Sequence, residues 1–140
     1  MFSSENRIKV LQFFDSLNAH DPTRLIDFFD DKIRYEDINL PKPIVGKENI
    51  QAVYQKGIGG NLLASFPDLK YDILGIVEDE DKVAVEWQLV GTQKNTFMGI
   101  LGIGKKIRIR GATIFMLANN KIVEIKDYWN PHQIYNQISS

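Results

Sequence analysis

The 140-residue chain has no cysteine. That excludes disulfides, thiolate metal ligands and a cysteine nucleophile, and it fits a reducing compartment such as the cytoplasm. Histidine is almost as scarce. His20 and His132 are the only two and lie far apart, which argues against a histidine-rich metal site. Long apolar runs are missing as well, none approaching the roughly 18 residues that a membrane helix needs. The first stretch, MFSSENRIKV, is polar, so neither a signal peptide nor contact with a membrane is expected. A net charge of −1 supplies no overall attraction to nucleic acid. No metal or other cofactor is expected.

What is present suits one globular domain, residues 1–140, long enough to bury a real core. Helical signals come first. Ser3 and Ser4 offer caps, and Ile8, Leu11 and Phe14 recur at helical spacing with Val10, Phe13 and Leu17, predicting a helix from about Ser4 to Asn18. Asp21-Pro22 starts a second, short helix. Ile33 to Glu36 reads as a short strand and Asp37 to Pro43 as a loop, and a third helix covers roughly Lys47 to Gln55. Gly57, Gly59 and Gly60 then loosen the chain. The second half is rich in strands: Leu69 to Glu78, Val83 to Val90, and Lys106 to Leu117, with Asn119-Asn120 turning into a last one. Pro131 to Ile138 suits a short final helix. Helices first and strands later, with short connections between the last strands, predict α+β with an antiparallel sheet.

The last strand, Lys121 to Trp129, carries the sharpest chemical signal. At period two, Val123, Ile125, Asp127 and Trp129 share one side. One carboxylate therefore stands in an apolar row, where it must be bonded, paired or protonated. Asp127 is thus either a satisfied structural acid, bonded to a neighbouring strand, a tyrosine hydroxyl or Arg110, or the working group of a pocket.

The order of elements and their wording resemble a known family. Asn-Ala-x-Asp-Pro, Tyr-x-Asp, Pro-x-x-Gly-Lys-Glu-x-Ile, Phe-Pro-Asp-Leu, Val-Ala-Val-x-Trp and Lys-Ile-Val-Glu-x-x-Asp-Tyr-Trp follow one another from about Glu5 to Ile138. This resembles the SnoaL-like polyketide cyclases of the nuclear-transport-factor-two-like superfamily. The resemblance implies a curved antiparallel sheet around a cone-shaped apolar pocket closed by the N-terminal helices. It also implies a homodimer formed through the sheet. The superfamily holds cyclases, isomerases, hydrolases and non-catalytic modules, so fold alone does not fix function.

The resemblance places Asp127 in the segment where the cyclases hold their acid/base carboxylate, for an intramolecular aldol closure. Asp37 resembles the base of the ketosteroid isomerases. Phe14 stands where those enzymes have an oxyanion-donating tyrosine, and Ile109 near their protonated aspartate, so isomerase activity of that kind is not expected. Asp127 and Asp37 are the candidate catalytic residues, with Tyr128 as a further helper. Phe14, Tyr35, Tyr54, Trp87, Phe97, Tyr128 and Trp129 are the candidate substrate contacts, suited to a small hydrophobic or aromatic molecule. Phe97 lies in a glycine-rich apolar stretch, 92–105, that reads as a lid over the mouth or a dimer contact. Gln93 takes the place of a histidine frequent in relatives. The expected function is that of a cofactor-free cyclase- or isomerase-like enzyme acting on a hydrophobic carbonyl compound. The competing reading is a non-catalytic ligand-binding or dimerisation module of the same fold.

Overall fold

The computed structural model describes residues 4–140; Ser3, one of the two expected caps, lies outside them. Helix α1 spans Glu5–Asn18, and the Ser4 side chain accepts the Arg7 backbone N–H at 3.0 Å. Its inward stripe is Val10, Phe13, Phe14 and Leu17. Ile8, expected in that stripe, is exposed. A 3-10 turn, Pro22–Phe28, leads into β1 (Phe29–Asp37). The two-residue β2 (Ile44–Val45) and helix α2 (Lys47–Lys56) follow. The glycines after α2 do not end the helical path. They widen it into a π turn, Gly57–Asn61, that runs on into the single turn α3 (Leu62–Ser65). Strands β3 (Lys70–Asp79), β4 (Lys82–Thr92), β5 (Lys106–Ala118) and β6 (Lys121–Tyr128) complete the sheet, and α4 (His132–Ser139) closes the chain.

The six strands form one curved, unclosed sheet in the order β2-β1-β6-β5-β4-β3. One pairing departs from the expected antiparallel sheet: β1 runs parallel to β6. Alternation along a strand tells which side chains face inward but nothing about the direction of its neighbour. Register shifts in β1, β3 and β6 add local bend and twist, which curls the sheet. In β6 the irregularity falls at Val123: Leu117 pairs with Ile122 and Met116 with Glu124. Ile122 is therefore buried in the place expected for Val123, and the row resumes with Ile125, Asp127 and Trp129.

The inner face of the sheet and the helices enclose the core. Phe13 of α1 meets Phe115 of β5 edge-on at 5.1 Å, with Phe14 and Phe29 around them. This end of the cone is filled by its own side chains. Towards the other end the same inner rows continue as Tyr35, Tyr54, Tyr71, Trp87 and Trp129, and there they border open space.

Candidate active site: two carboxylates in an aromatic chamber

Strand register brings the two acids together. Asp37 of β1 lies opposite Asp127 of β6, and Asp127 lies opposite Thr113 of β5. All three are on the inner face, at one level of the cone.

Each oxygen of Asp127 has a protein donor. The Thr113 hydroxyl donates to Oδ1 at 2.6 Å and the Tyr35 hydroxyl to Oδ2 at 2.9 Å. Thr113 is itself oriented by the Trp87 indole, whose N–H donates to Oγ1 at 2.8 Å. The Tyr35 oxygen also lies 3.3 Å from Asp37 Oδ2. It carries one proton, which serves one acid at a time. Asp37 is well supplied with other donors. Asn39 gives Oδ1 both its backbone N–H (2.8 Å) and its side-chain amide (2.9 Å), and the Trp129 indole donates to Oδ2 at 3.0 Å. These nitrogen donors suit a charged acceptor.

Asp127 is the less comfortable of the two. Burial lifts its carboxyl from 3.8 to about 6, against the bonds from Thr113 and Tyr35; the charge of Asp37 adds to the rise. Such a group changes protonation near neutral pH, which suits general acid–base chemistry. The phenols around it are pushed upward, first by burial and then by the Asp127 charge, so Tyr35, Tyr54 and Tyr71 stay protonated.

The chamber holding these groups has a volume of about 200 Å³. Tyr35, Tyr54, Tyr71, Trp87 and Trp129 line it with the two acids, and Val53, Ile58, Leu62 and Leu89 complete the wall. Gly57, Leu62 and Trp129 also border an outer vestibule of about 480 Å³, walled by Phe97, Met98, Asn61, Asn130 and His132. A groove of about 600 Å³ elsewhere, at Asp68, Lys106, Arg108 and Gln137, is larger. Neither Asp127 nor Asp37 borders it.

Of the residues singled out in the sequence, Asp127, Asp37, Tyr35, Tyr54, Trp87 and Trp129 converge on the chamber. Phe97 belongs to the vestibule. Two do not reach either space. Phe14 is packed into the core against Phe13, Tyr71 and Phe115. Tyr128 alternates with Asp127, so its ring is turned to the outer side, exposed beside Ile38, Leu40 and Lys126. Arg110 pairs with Glu86 on that outer face, not with a pocket acid. Gln93 is buried at the base of the 94–105 segment, where its side-chain amide donates to the carbonyls of Asn95 and Ile100. Thr113, Tyr71 and Asn39 were not anticipated. Thr113 had a readable signal: it is a polar residue in the inward row Ile107, Ile109, Phe115, Leu117.

A family model, the SnoaL-like polyketide cyclases, matches residues 8–138. The chain belongs to this family. Among solved structures, it resembles a proposed SnoaL-like polyketide cyclase from Jannaschia sp. CCS1 at 21% identity and a TM-score of 0.77, over 100% of this chain and 98% of that one. IdmH of Streptomyces antibioticus, a proposed polyketide cyclase, superposes with a TM-score of 0.85 at 18% identity, over 98% and 100%. A proposed ketosteroid isomerase from Kribbella flavida gives 0.66 at 17%, over 90% and 78%. At these identities the structural likenesses establish the fold. No curated protein matches the chain. Among the described residues, no helix is long and apolar enough to cross a membrane.

Asparagine at position 127 keeps the shape and removes the charge. Its oxygen can still accept from Thr113, and its amide can donate to Tyr35, which then turns to Asp37. The folded-state value lies above the unfolded one. Below about pH 4 both states are protonated; above about 6 the folded chain carries the full cost of the buried charge, about 3 kcal/mol at most. Asp127→Asn should therefore melt at or above the wild-type temperature at pH 7.5, by about 2–4 °C per kcal/mol retained. The advantage should disappear by pH 4. A midpoint many degrees lower at pH 7.5 makes Asp127 a structural acid.

Proposed function

We propose that the protein is a cofactor-free cyclase- or isomerase-like enzyme that moves a proton on a small hydrophobic carbonyl compound. One observation carries the reading: a single carboxylate with a pKa raised to about 6 faces an aromatic chamber. The membership in the cyclase family and the likeness to proposed cyclases and an isomerase support it.

Asp127 takes a proton from a carbon next to a carbonyl, and the electron pair of that C–H bond moves into a carbon–carbon double bond as the carbonyl pair moves to oxygen. In a cyclase the enolate carbon then attacks a second carbonyl of the same molecule. The protonated Asp127 returns its proton to the oxygen of that second carbonyl. An isomerase returns it to a different carbon. Both sequences balance without any redox partner. Thr113 and Tyr35 hold the carboxylate in one rotamer, so little reorganisation is needed at the moment of transfer. The charge of Asp37 beside it favours the protonated form of Asp127.

Uncharged aromatic diketones able to close internally are the compounds to screen, with cyclised product as the readout. Turnover should fall at least 100-fold in Asp127→Asn. Turnover that survives the substitution removes Asp127 from the mechanism. Binding without product in the wild type favours the non-catalytic module.

We also propose that two copies pair through the outer face of the sheet. Leu74 and Val77 stand exposed there, with Ala84, Ile114 and Met116 in the adjoining strands. Sedimentation should give a particle of about twice 16.1 kDa, and Val77→Lys should halve it. A wild-type particle of monomer mass at micromolar concentration rules the pairing out.

A further inference from the structure

We propose that the hydroxyls of Tyr71 and Tyr54 form the oxygen-binding half of the chamber, holding a ketone carbonyl while Asp127 works on the neighbouring carbon. The proposal rests on the carbonyl reading above and supplies the part that reading lacks. A carboxylate can take the proton, but the oxygen that gains charge needs donors of its own.

The other donors around the chamber are already engaged. The Tyr35 hydroxyl is committed to the carboxylates and the Thr113 hydroxyl to Asp127. The Trp129 N–H goes to Asp37 and the Trp87 N–H to Thr113. Tyr54 and Tyr71 line the same space, yet among the described residues neither hydroxyl has a hydrogen-bond partner. Nor is either sealed away: among the described residues, the enclosed side-chain atom without a partner is Gln93 Oε1. Both residues thus line the cavity with hydroxyls that are not enclosed, and a ligand or water can satisfy them.

The position of Tyr71 gives the proposal its particular form. Phe14 occupies the place where the resemblance leads one to expect a donating tyrosine, and the Tyr71 ring packs edge-on against Phe14 at 5.4 Å. The hydroxyl absent from α1 is supplied from β3, one ring away. Tyr71 is also held firmly. The Asn18 side chain donates to its carbonyl at 3.0 Å and accepts its N–H at 2.7 Å, and Trp87 abuts the ring at 5.1 Å. Tyr54 is carried by α2, with Tyr35 at 5.9 Å and Phe13 at 5.4 Å fixing its ring. Two neutral donors on rigid elements are set before the reaction begins.

The same wall sets the substrate class. No lysine or arginine lines the chamber and two carboxylates do, so an uncharged ketone fits and a carboxylate does not. When Asp127 removes the proton, the carbonyl pair moves to an oxygen lying between the two O–H groups. Return of the proton reverses the flow.

The test uses 2-acetylnaphthalene labelled with ¹³C at the carbonyl, bound to the full chain at pH 7.5. Trp87 and Trp129 are the only tryptophans and both line the chamber, so quenching of their fluorescence reports occupancy. Isotope-edited infrared spectra should show the carbonyl stretch below its frequency in hydrocarbon solvent. Tyr71→Phe and Tyr54→Phe should each restore part of the shift, and the double variant all of it, with thermal midpoints unchanged or higher. A carbonyl frequency that is the same in wild type and double variant overturns the proposal, as does a ketone that quenches neither tryptophan. The two readings fail separately. A shift that persists in Asp127→Asn, with no turnover in any form, leaves the oxygen site standing and sinks the acid–base step. Turnover that neither phenylalanine variant slows, with no shift, does the reverse.

Discussion

The arrangement depends on keeping one carboxylate out of water while giving it just enough support to stay in place. Asp127 has two hydroxyl donors, from Thr113 and Tyr35, and an aromatic wall in place of solvent. Stronger support, such as an arginine partner, would drop its pKa and leave it an inert anion. Without any support it would turn away or stay protonated throughout. The elements around it serve this intermediate state. Trp87 orients Thr113, Asn39 and Trp129 occupy Asp37, and Asp37 pushes the balance toward the proton.

That constellation is a product of sheet register more than of any local motif. Asp37, Asp127 and Thr113 meet because β1, β6 and β5 place them opposite one another. The irregularity at Val123 matters here. It lets Ile122 fill the core while Ile125, Asp127 and Trp129 keep facing inward farther along the strand. Gly111 shows how tightly the wall is built. A Cβ there would come within 2.6 Å of the Trp87 ring and 2.9 Å of Trp129 Cβ, so its lack of a side chain leaves both indoles room at the mouth of the chamber.

Much of this was legible in the amino-acid order. Alternation along β6 singled out Asp127, and the helix and strand patterns located most elements to within a few residues, missing the two-residue β2 and the single turn α3. The family resemblance joined them into a cone. Other features depended on long-range geometry that no short window contains. The parallel pairing of β1 with β6 leaves no mark in either strand. The π turn at Gly57–Asn61 looked like a break because glycines usually make one. Phe14 and Tyr128 were placed at the pocket by analogy and by adjacency. The first instead belongs to a filled end of the cone, and the second lies one residue, and therefore one face, away from Asp127. Thr113 and Tyr71 carry the same signal as Asp127, a polar group standing in an inward apolar row.

The most direct test of the central claim is the titration of Asp127 itself, followed by the ¹³Cγ resonance of labelled protein and assigned with Asp127→Asn. A midpoint near 6 is the expected result, since desolvation then outweighs the bonds from Thr113 and Tyr35. A midpoint at or below 4 would contradict the account: the carboxylate would be a satisfied structural anion, and the chamber would have no base tuned to take a proton from carbon.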